Sequence, residues 1–224
     1  MTTYLNIFLA VFAGLFPVVN PLGGAPIFYE MMRGAPDKVR AQVATKVAFY
    51  GFILLVASMA VGSHVLTFFG VSLPVLRVAG GLVVTVVGWQ LLHQGEASTD
   101  RTAAKPEEID PTAFVDKAFY PLTMPLTVGP GSIATAIALG TQGVDTSGES
   151  WAGLGLHVLA ALAGLMAIGA SIFVAYRYAG DIERILGRNG TNILVRLFAF
   201  ILLCIGLQIM WTGIAQLIDS LAHP

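Results

Sequence analysis

The sequence contains few charged residues. Asp, Glu, Lys and Arg make up 11% of the 224 residues, whereas about 25% is usual in a water-soluble protein. Apolar residues make up 56%, and the mean hydropathy is +0.78. So few charges cannot cover a surface exposed to water, which excludes a soluble domain. The composition predicts an integral membrane protein whose surface contacts the lipid bilayer.

Other absences exclude classes of function. The net charge of −1 provides no basic surface for a nucleic acid. The single cysteine, Cys204, excludes an internal disulfide and a multi-cysteine metal site. No lysine follows a glycine, so there is no Walker A motif, and no H-E-x-x-H motif is present. We therefore expect no catalytic residue, no metal, no cofactor and no ATP-driven transport by this chain alone.

Six stretches contain no Asp, Glu, Lys or Arg, and each is about long enough to cross a bilayer core of about 30 Å. Their polarity does not alternate, which favours helices over barrel strands. The first stretch has no basic residue before it, so we interpret it as a retained span and not a signal peptide. The predicted fold is an all-α membrane protein with six transmembrane helices, in the stretches 1–29, 47–76, 78–95, 118–144, 150–176 and 197–218.

The basic residues lie between alternate pairs of spans. Eleven of the twelve fall in the loops one–two, three–four and five–six, and the remaining one, Arg77, opens span three. The positive-inside rule places these three loops in the cytoplasm, so both termini face outward. The chain is then one membrane domain, with a first three-helix repeat (1–93), a solvated cytoplasmic linker (94–116) and a second repeat (117–224).

Two of the spans share a pattern of prolines. Pro17, Pro21 and Pro26 recur at a constant offset of 104 residues as prolines 121, 125 and 130. Because each half holds three spans, the second copy enters the membrane from the opposite side. The sequence therefore predicts an inverted-topology repeat, a plan that is common among secondary transporters. In span three, the small residues at 81, 85 and 88 are typical of a helix-packing face.

The prolines also predict that helices one and four are broken. Proline removes a backbone donor and disfavours helix in the residue before it. Irregular backbone is tolerated at membrane depth only inside protein or a water-filled cavity. We therefore expect both spans to unwind, with their breaks meeting at the midplane. The alternative is that the breaks are only packing kinks.

The polar residues at the breaks carry no charge, which suits a small zwitterion. Half-helices beginning near Gly24 and near Gly131 would present amides to a carboxylate, and the preceding carbonyls would suit an ammonium. The glycines imply either positive φ or close approach, and we expect close approach at Gly129 and Gly131. The predicted substrate-binding residues are Asn20, Pro21, Leu22, Gly23, Gly24, Thr123, Thr127, Gly129, Pro130, Gly131 and Ser132.

His157 is the titratable imidazole that lies well inside a span. It could couple transport to protons, and sodium is the other candidate coupling ion. The alternative interpretation is a hydrogen-bonded packing residue.

Three segments resemble one known family. FPVVNPLGGAPIF in span one, LRVAGGLVV in span three and MPLTVGPGSIAT in span four are similar to the MarC family of integral membrane proteins. That family includes small neutral amino acid transporters of the SnatA type and is related to the LysE exporter superfamily. The resemblance implies a bacterial or archaeal inner-membrane transporter of glycine, alanine or similar amino acids.

Three other functions remain open at this point. An intramembrane enzyme would need clustered catalytic side chains, and none are visible in the sequence. A membrane accessory or scaffold protein would not transport at all. An exporter of another small solute would share the same fold.

The distribution of basic residues gives a testable topology. A cysteine placed at Ser147 should react with a membrane-impermeant thiol reagent in intact cells, because loop four–five is predicted to lie outside. A cysteine placed at Arg101 should not react. The reverse labelling pattern would contradict the orientation.

Overall fold

The computed structural model describes residues 2–93, 111–142 and 151–222, and every regular element in these ranges is helical. The all-α prediction is therefore confirmed for the part of the chain that is described. A segment with irregular hydrogen bonding spans Ala118–Thr127, and the last helix is interrupted at Gly187, where φ is 63°. The helices are α1 (Thr2–Val19), α2 (Pro21–Met31), α3 (Asp37–Phe68), α4 (Leu73–His93), α5 (Pro111–Asp116), α6 (Pro130–Gln142), α7 (Trp151–Arg177) and α8 (Ala179–Ala222).

Four helices are long and apolar enough to cross a membrane, namely α3, α4, α7 and the part of α8 from Gly190 onward. Two bent pairs raise the number to six if each pair forms one span. The α1–α2 pair bends by 40°, and the pair formed by Ala118–Thr127 and α6 bends by 68°. Candidate spans in the described ranges thus number four to six, and the two bends lie in the spans that the prolines mark.

The second span is longer than the charge-free run suggests. Helix α3 begins at Asp37, ten residues before the run, and ends at Phe68. Its end is set by Gly70, which has a φ of 67° and lets the amide of Val71 donate to the carbonyl of Leu66 over 2.9 Å. This is the usual glycine-terminated helix end. A charge-free run marks the residues that lipid tolerates and does not mark where a helix begins or ends.

Most of the predicted linker, residues 94–110, lies outside the described residues. Its last six residues form α5, and Phe114 on this helix is buried in the hydrophobic core. This end of the predicted linker therefore contacts the membrane domain through Phe114, and its cytoplasmic, solvated character stays a prediction.

Helices α4 and α8 pack closely because glycines line their contact. A Cβ added to Gly81 would meet the backbone of Met210, and one added to Gly88 would lie 2.6 Å from the amide nitrogen of Leu203. A later residue of α4 contacts an earlier residue of α8, so the two helices run antiparallel. Without a hydrophobic driving force in lipid, such close backbone approach is a main source of helix association. The predicted packing face of span three is confirmed.

The two bent pairs occupy the middle of the bundle. Helix α1 packs against α6 and α7, and α2 packs against α7 and α8. In the other half, the segment Ala118–Thr127 packs against α3, and α6 packs against α3 and α4. Helices α3 and α7 also contact each other. Each bent pair therefore contacts helices of the other half of the chain, while Tyr120 at the second bend keeps 70% of its surface exposed.

Candidate functional site

The bend in span one is formed by a single residue, Asn20. Its backbone adopts the left-handed conformation, with φ 50° and ψ 57°, which asparagine tolerates better than most residues. Its side-chain oxygen accepts a hydrogen bond of 3.1 Å from the amide of Gly23 and so caps α2. Pro21 occupies the first position of α2, where the missing amide hydrogen costs little.

The expectation of an unwound stretch in span one is wrong. Helix α1 continues through Pro17, and α2 begins at Pro21 and continues through Pro26. A proline inside a helix removes one hydrogen bond and bends the axis, but the turns on either side can persist. The half-helix therefore starts three residues before the predicted position near Gly24.

The break in span four is longer. Tyr120 and Met124 have extended backbones, with φ near −120° in both, because each precedes a proline. The backbone amides then reach carbonyls five residues back, as in the 2.8 Å bond from Val128 to Thr123. Two threonine hydroxyls complete the pattern, since Thr123 donates to the carbonyl of residue 118 and Thr127 to that of residue 122, both over 2.6 Å.

These hydroxyl bonds change the expected role of the break. We expected the unwound carbonyls to face a ligand, but two of them accept hydrogen bonds from the threonines instead. Thr123 is fully buried and does not line the cavity that lies between the two breaks. Its side chain orders the irregular segment, which is the cheaper way to satisfy a backbone carbonyl away from water.

The cavity between the two breaks has a volume of about 430 Å³. It brings together eight of the eleven residues predicted to bind substrate: Asn20, Gly23, Gly24, Thr127, Gly129, Pro130, Gly131 and Ser132. Helix α4 closes one side of the cavity with residues 83, 84, 87, 90 and 91, and Leu202 of α8 also contributes. The prediction that the two breaks meet is confirmed by this arrangement.

Three predicted residues lie outside the cavity lining. Pro21 is buried within the first turn of α2, and Leu22 points outward with 37% of its surface exposed. Thr123 is the third, because its hydroxyl is bonded inside the irregular segment. Only one face of each half-helix can meet the cavity, and these residues lie on other faces.

None of the described residues that line the cavity has an ionisable side chain. The polar groups are the carboxamide of Asn20, the hydroxyls of Thr127 and Ser132, and the carboxamide of Gln90 at the exposed end. The hydroxyl of Ser132 donates to the carbonyl of Gly129 over 2.9 Å. Among the described residues, no group of three His, Cys, Asp or Glu side chains could hold a metal ion.

Tyr176 is a site residue that sequence reasoning misses. Its hydroxyl lies 2.7 Å from that of Thr127, and its ring stacks on Phe28 with centroids 4.5 Å apart. Because Thr127 already donates to a carbonyl, Tyr176 must be the donor in the hydroxyl pair. A tyrosine at the end of an apolar run resembles an interfacial residue, so no sequence signal marks this one.

The glycines of the site are needed for close approach. None of Gly23, Gly24, Gly129 and Gly131 has a positive φ. A Cβ at Gly24 would lie 2.6 Å from the hydroxyl of Tyr176, and one at Gly131 would meet the side chain of Val84. Gly131 is thus in close contact with a side chain of α4, while the close approach of a substrate to Gly129 and Gly131 stays a prediction.

His157 lies far from the cavity. It is buried near the start of α7, and its ring is 5.3 Å from that of Tyr4 near the start of α1. Tyr4 and Asn20 are 16 residues apart, which is about 24 Å along a helix. Proton coupling through His157 stays a prediction, and it would require a relay to the cavity.

The fold and the cavity define the class of this protein. It is an integral, multi-pass helical membrane protein with an uncharged cavity enclosed between two broken helices. A family model described as "MarC family integral membrane protein" matches residues 5–218. The chain therefore belongs to the MarC family, as its motifs suggest.

The curated relatives cover almost the full length of the chain. An archaeal "UPF0056 membrane protein" of Archaeoglobus fulgidus is 28% identical over 97% of both chains. The "UPF0056 inner membrane protein MarC" of Citrobacter koseri is 30% identical, and that of Escherichia coli strain K12 is 31% identical, each over 96% of this chain and 99% of the relative. No solved structure matches the chain.

The contact between Gly131 and Val84 gives a test of the site geometry. Gly131→Ala should lower the thermal stability of the detergent-purified protein, because overpacking typically costs about 1–3 kcal/mol. Adding Val84→Ala should restore part of the loss, since it removes the methyl groups that the new Cβ would meet. Gly155→Ala is the matched control, because nothing lies within 4 Å of a Cβ there. Equal stabilities of Gly131→Ala and the parent would contradict the close crossing of α4 and α6.

Proposed function

We propose that the protein is a secondary transporter of small neutral amino acids such as glycine and alanine in the bacterial inner membrane. The substrate is bound in the cavity between the Asn20 bend and residues 129–132. The observation that carries the proposal is a cavity that offers helix ends and uncharged polar groups but no ionised side chain among its described lining residues. Such a site matches a solute that has both charges and no net charge.

The N-terminal end of α6 would bind the carboxylate. The first hydrogen bond of this helix joins the amide of Ile133 to the carbonyl of Gly129 over 3.1 Å. The amides of Gly131 and Ser132 precede that bond, and both residues line the cavity. Free amides and the positive end of a helix dipole together favour an anionic group.

The C-terminal end of α1 would bind the ammonium. In an unbroken helix the carbonyl of Pro17 would accept a hydrogen bond from residue 21, but residue 21 is a proline and has no amide hydrogen. Val18 and Val19 at this end line the cavity. The negative end of the helix dipole and unpaired carbonyls favour a cation.

We also propose six spans arranged as two inverted repeats. In this arrangement each element of the first half has a counterpart in the second half: α1 corresponds to Ala118–Thr127, α2 to α6, α3 to α7 and α4 to α8. Replacing every element by its counterpart then turns each main packing pair into another observed pair. The α1–α7 pair becomes the pair of Ala118–Thr127 with α3, α2–α7 becomes α6–α3, and α2–α8 becomes α6–α4. The α3–α7 and α4–α8 pairs map onto themselves. The antiparallel course of α4 and α8 also supports inversion, and such repeats commonly place the substrate between their broken helices.

The distribution of Lys and Arg supports outward termini and hence a side for the cavity. With this orientation α4 runs from the outside at Leu73 to the cytoplasm at His93. The cavity touches α4 from Val83 to Leu91, which is the cytoplasmic half of the span. We infer that the structure represents a state in which the site lies toward the cytoplasm.

The volume of the site does not restrict the substrate to glycine. A cavity of about 430 Å³ lies within the usual range of about 300–1,000 Å³ for small-molecule sites. Selection for small side chains would instead come from the wall where Gly131 and Val84, which both line the cavity, are in close contact. A branched substrate would collide with the same groups that exclude a Cβ.

Proteoliposomes that contain the purified chain should take up labelled glycine. Unlabelled glycine and alanine should compete, whereas acetate, methylamine and leucine should compete at least tenfold more weakly. Acetate and methylamine each carry only one of the two charges, and the branched side chain of leucine would collide with the cavity wall at Gly131 and Val84. Uptake equal to that of protein-free vesicles would reject transport, and competition by acetate alone would reject a zwitterion site.

Asn20 can be tested without confusing its backbone and its side-chain roles. Asn20→Gly should fold nearly normally, because glycine accepts positive φ and costs only a few tenths of a kcal/mol as an N-cap. Its glycine uptake should nevertheless fall at least tenfold, since the carboxamide that faces the cavity is lost. Asn20→Asp, which keeps the capping oxygen, should also fold but should repel the carboxylate. Parent-like uptake by Asn20→Gly would show that the side chain does not contact the substrate.

A further inference from the structure

Arg77 is a buried cation for which the described part of the chain provides no anion. It lies in the second turn of α4, and only 8% of its surface is exposed. None of the ion pairs among residues 2–93, 111–142 and 151–222 involves it. It also lies near the positive end of the α4 dipole, where a cation is unfavourable. A charge placed in this way within a membrane domain is expensive, and such residues usually have a function.

The guanidinium is held by one side chain from the other half of the protein. Its Nη1 donates a 2.6 Å hydrogen bond to the side-chain oxygen of Gln216 on α8. A guanidinium has five donor hydrogens in a planar fork, so this bond leaves most of them available. Gln216 fixes the position of the fork without neutralising its charge.

A second cavity, of about 300 Å³, adjoins this arginine. Its other polar lining residues are Gln216, Thr135 and Thr212. The two threonine hydroxyls already donate, to the carbonyls of Gly131 and Gln208 respectively, over 2.9 and 2.8 Å. Their oxygens can therefore only accept a further hydrogen bond. The apolar walls are formed by Ala134, Ala138, Leu139 and Ile209.

The crossing of α4 and α6 separates the two cavities. A Cβ at Gly80 would lie 2.6 Å from that of Ala134 and 3.8 Å from the Cα of Gly131. On α4 the order along the chain is Arg77, the crossing, and then the wall of the first cavity from residue 83 onward. Helix α8 shows the same division, with residue 202 in the first cavity and residues 209–216 in the second. The cavities are thus stacked along the helix axes on opposite sides of one tight contact.

We propose that the second cavity is a binding site for a small carboxylate, with the guanidinium of Arg77 as its principal ligand. Arginine matches the geometry of a carboxylate with two parallel hydrogen bonds. The threonine oxygens, which can accept but not donate, suit an ammonium on the same solute, so a free amino acid fits the site best. Carboxylate binding at this site does not depend on transport. If the proposed function holds, the second cavity would also be a binding site on the transport path, on the outer side of the first cavity.

The test is the effect of acetate on the apparent unfolding temperature of the full chain in detergent. A ligand of the folded state raises this temperature in a saturable way. Acetate should do so in the parent, and sodium chloride at equal concentration should not. In Arg77→Gln the apparent acetate affinity should fall at least tenfold, because hydrogen bonds to a charged group are lost. Arg196→Gln is the matched control, since Arg196 is exposed on α8, and it should respond like the parent.

The Arg77→Lys variant and methyl phosphate provide two further tests of the site. Arg77→Lys keeps the charge but not the fork, so it should bind acetate more weakly than the parent, and it serves if Arg77→Gln does not fold. Methyl phosphate tests whether a lipid headgroup is the natural anion. An acetate effect equal in the parent and Arg77→Gln would overturn the proposal, as would an effect of methyl phosphate without one of acetate. These assays require no transport, so a failure of glycine uptake in proteoliposomes would count separately against the proposed function.

Discussion

Backbone amides and carbonyls find no water in the hydrocarbon core of a membrane, so each must be satisfied by the protein itself. Both broken helices meet this constraint in part by packing against helices of the other half. Each break also supplies its own side-chain partners. Asn20 caps the helix that follows it, and the hydroxyls of Thr123 and Thr127 donate to carbonyls within the irregular segment. The irregular backbone therefore finds hydrogen-bond partners within its own segment.

The same constraint concentrates the remaining polarity in two places. Most hydroxyls in the described helices bond to carbonyls of their own helix, as Thr135 does with Gly131. What remains unused is the start of α6, the end of α1 and the guanidinium of Arg77. The first two meet in the cavity between the breaks, and the third lies in the separate cavity beyond the crossing of α4 and α6. The two cavities thus combine helix ends or one cation with a few uncharged polar side chains.

Glycine makes this compact arrangement possible. At Gly80, Gly81 and Gly88 the backbone of α4 approaches α6 or α8 so closely that a Cβ would overlap the neighbour. Close packing of this kind holds a bundle together in lipid, where burial of apolar surface contributes little. The close contact of α4 with α6 also separates the two cavities, because it leaves no space between the helices at Gly80.

Composition and local backbone chemistry determined much of this protein. The shortage of charge required a membrane fold, and the prolines placed the breaks in the correct two spans, because proline acts on its own helix. The extent of each break was not predictable. One left-handed residue sufficed in span one, whereas span four has two extended residues within the ten-residue segment Ala118–Thr127. Which carbonyls remained free depended on threonine rotamers that only the packed structure sets.

Only the tertiary structure decided which side chains meet across helices. Tyr176 lies 49 residues from Thr127, and Gln216 lies 139 residues from Arg77, and no local pattern links either pair. Such contacts depend on the rotation of each helix about its axis and on the depth at which two helices cross. Small residues permit several crossings, and the sum of packing over the whole bundle selects one. The sequence thus marked the two breaks, while the packing brought eight of the eleven predicted residues to the cavity, set Tyr176 against Thr127 and placed Arg77 at the second cavity.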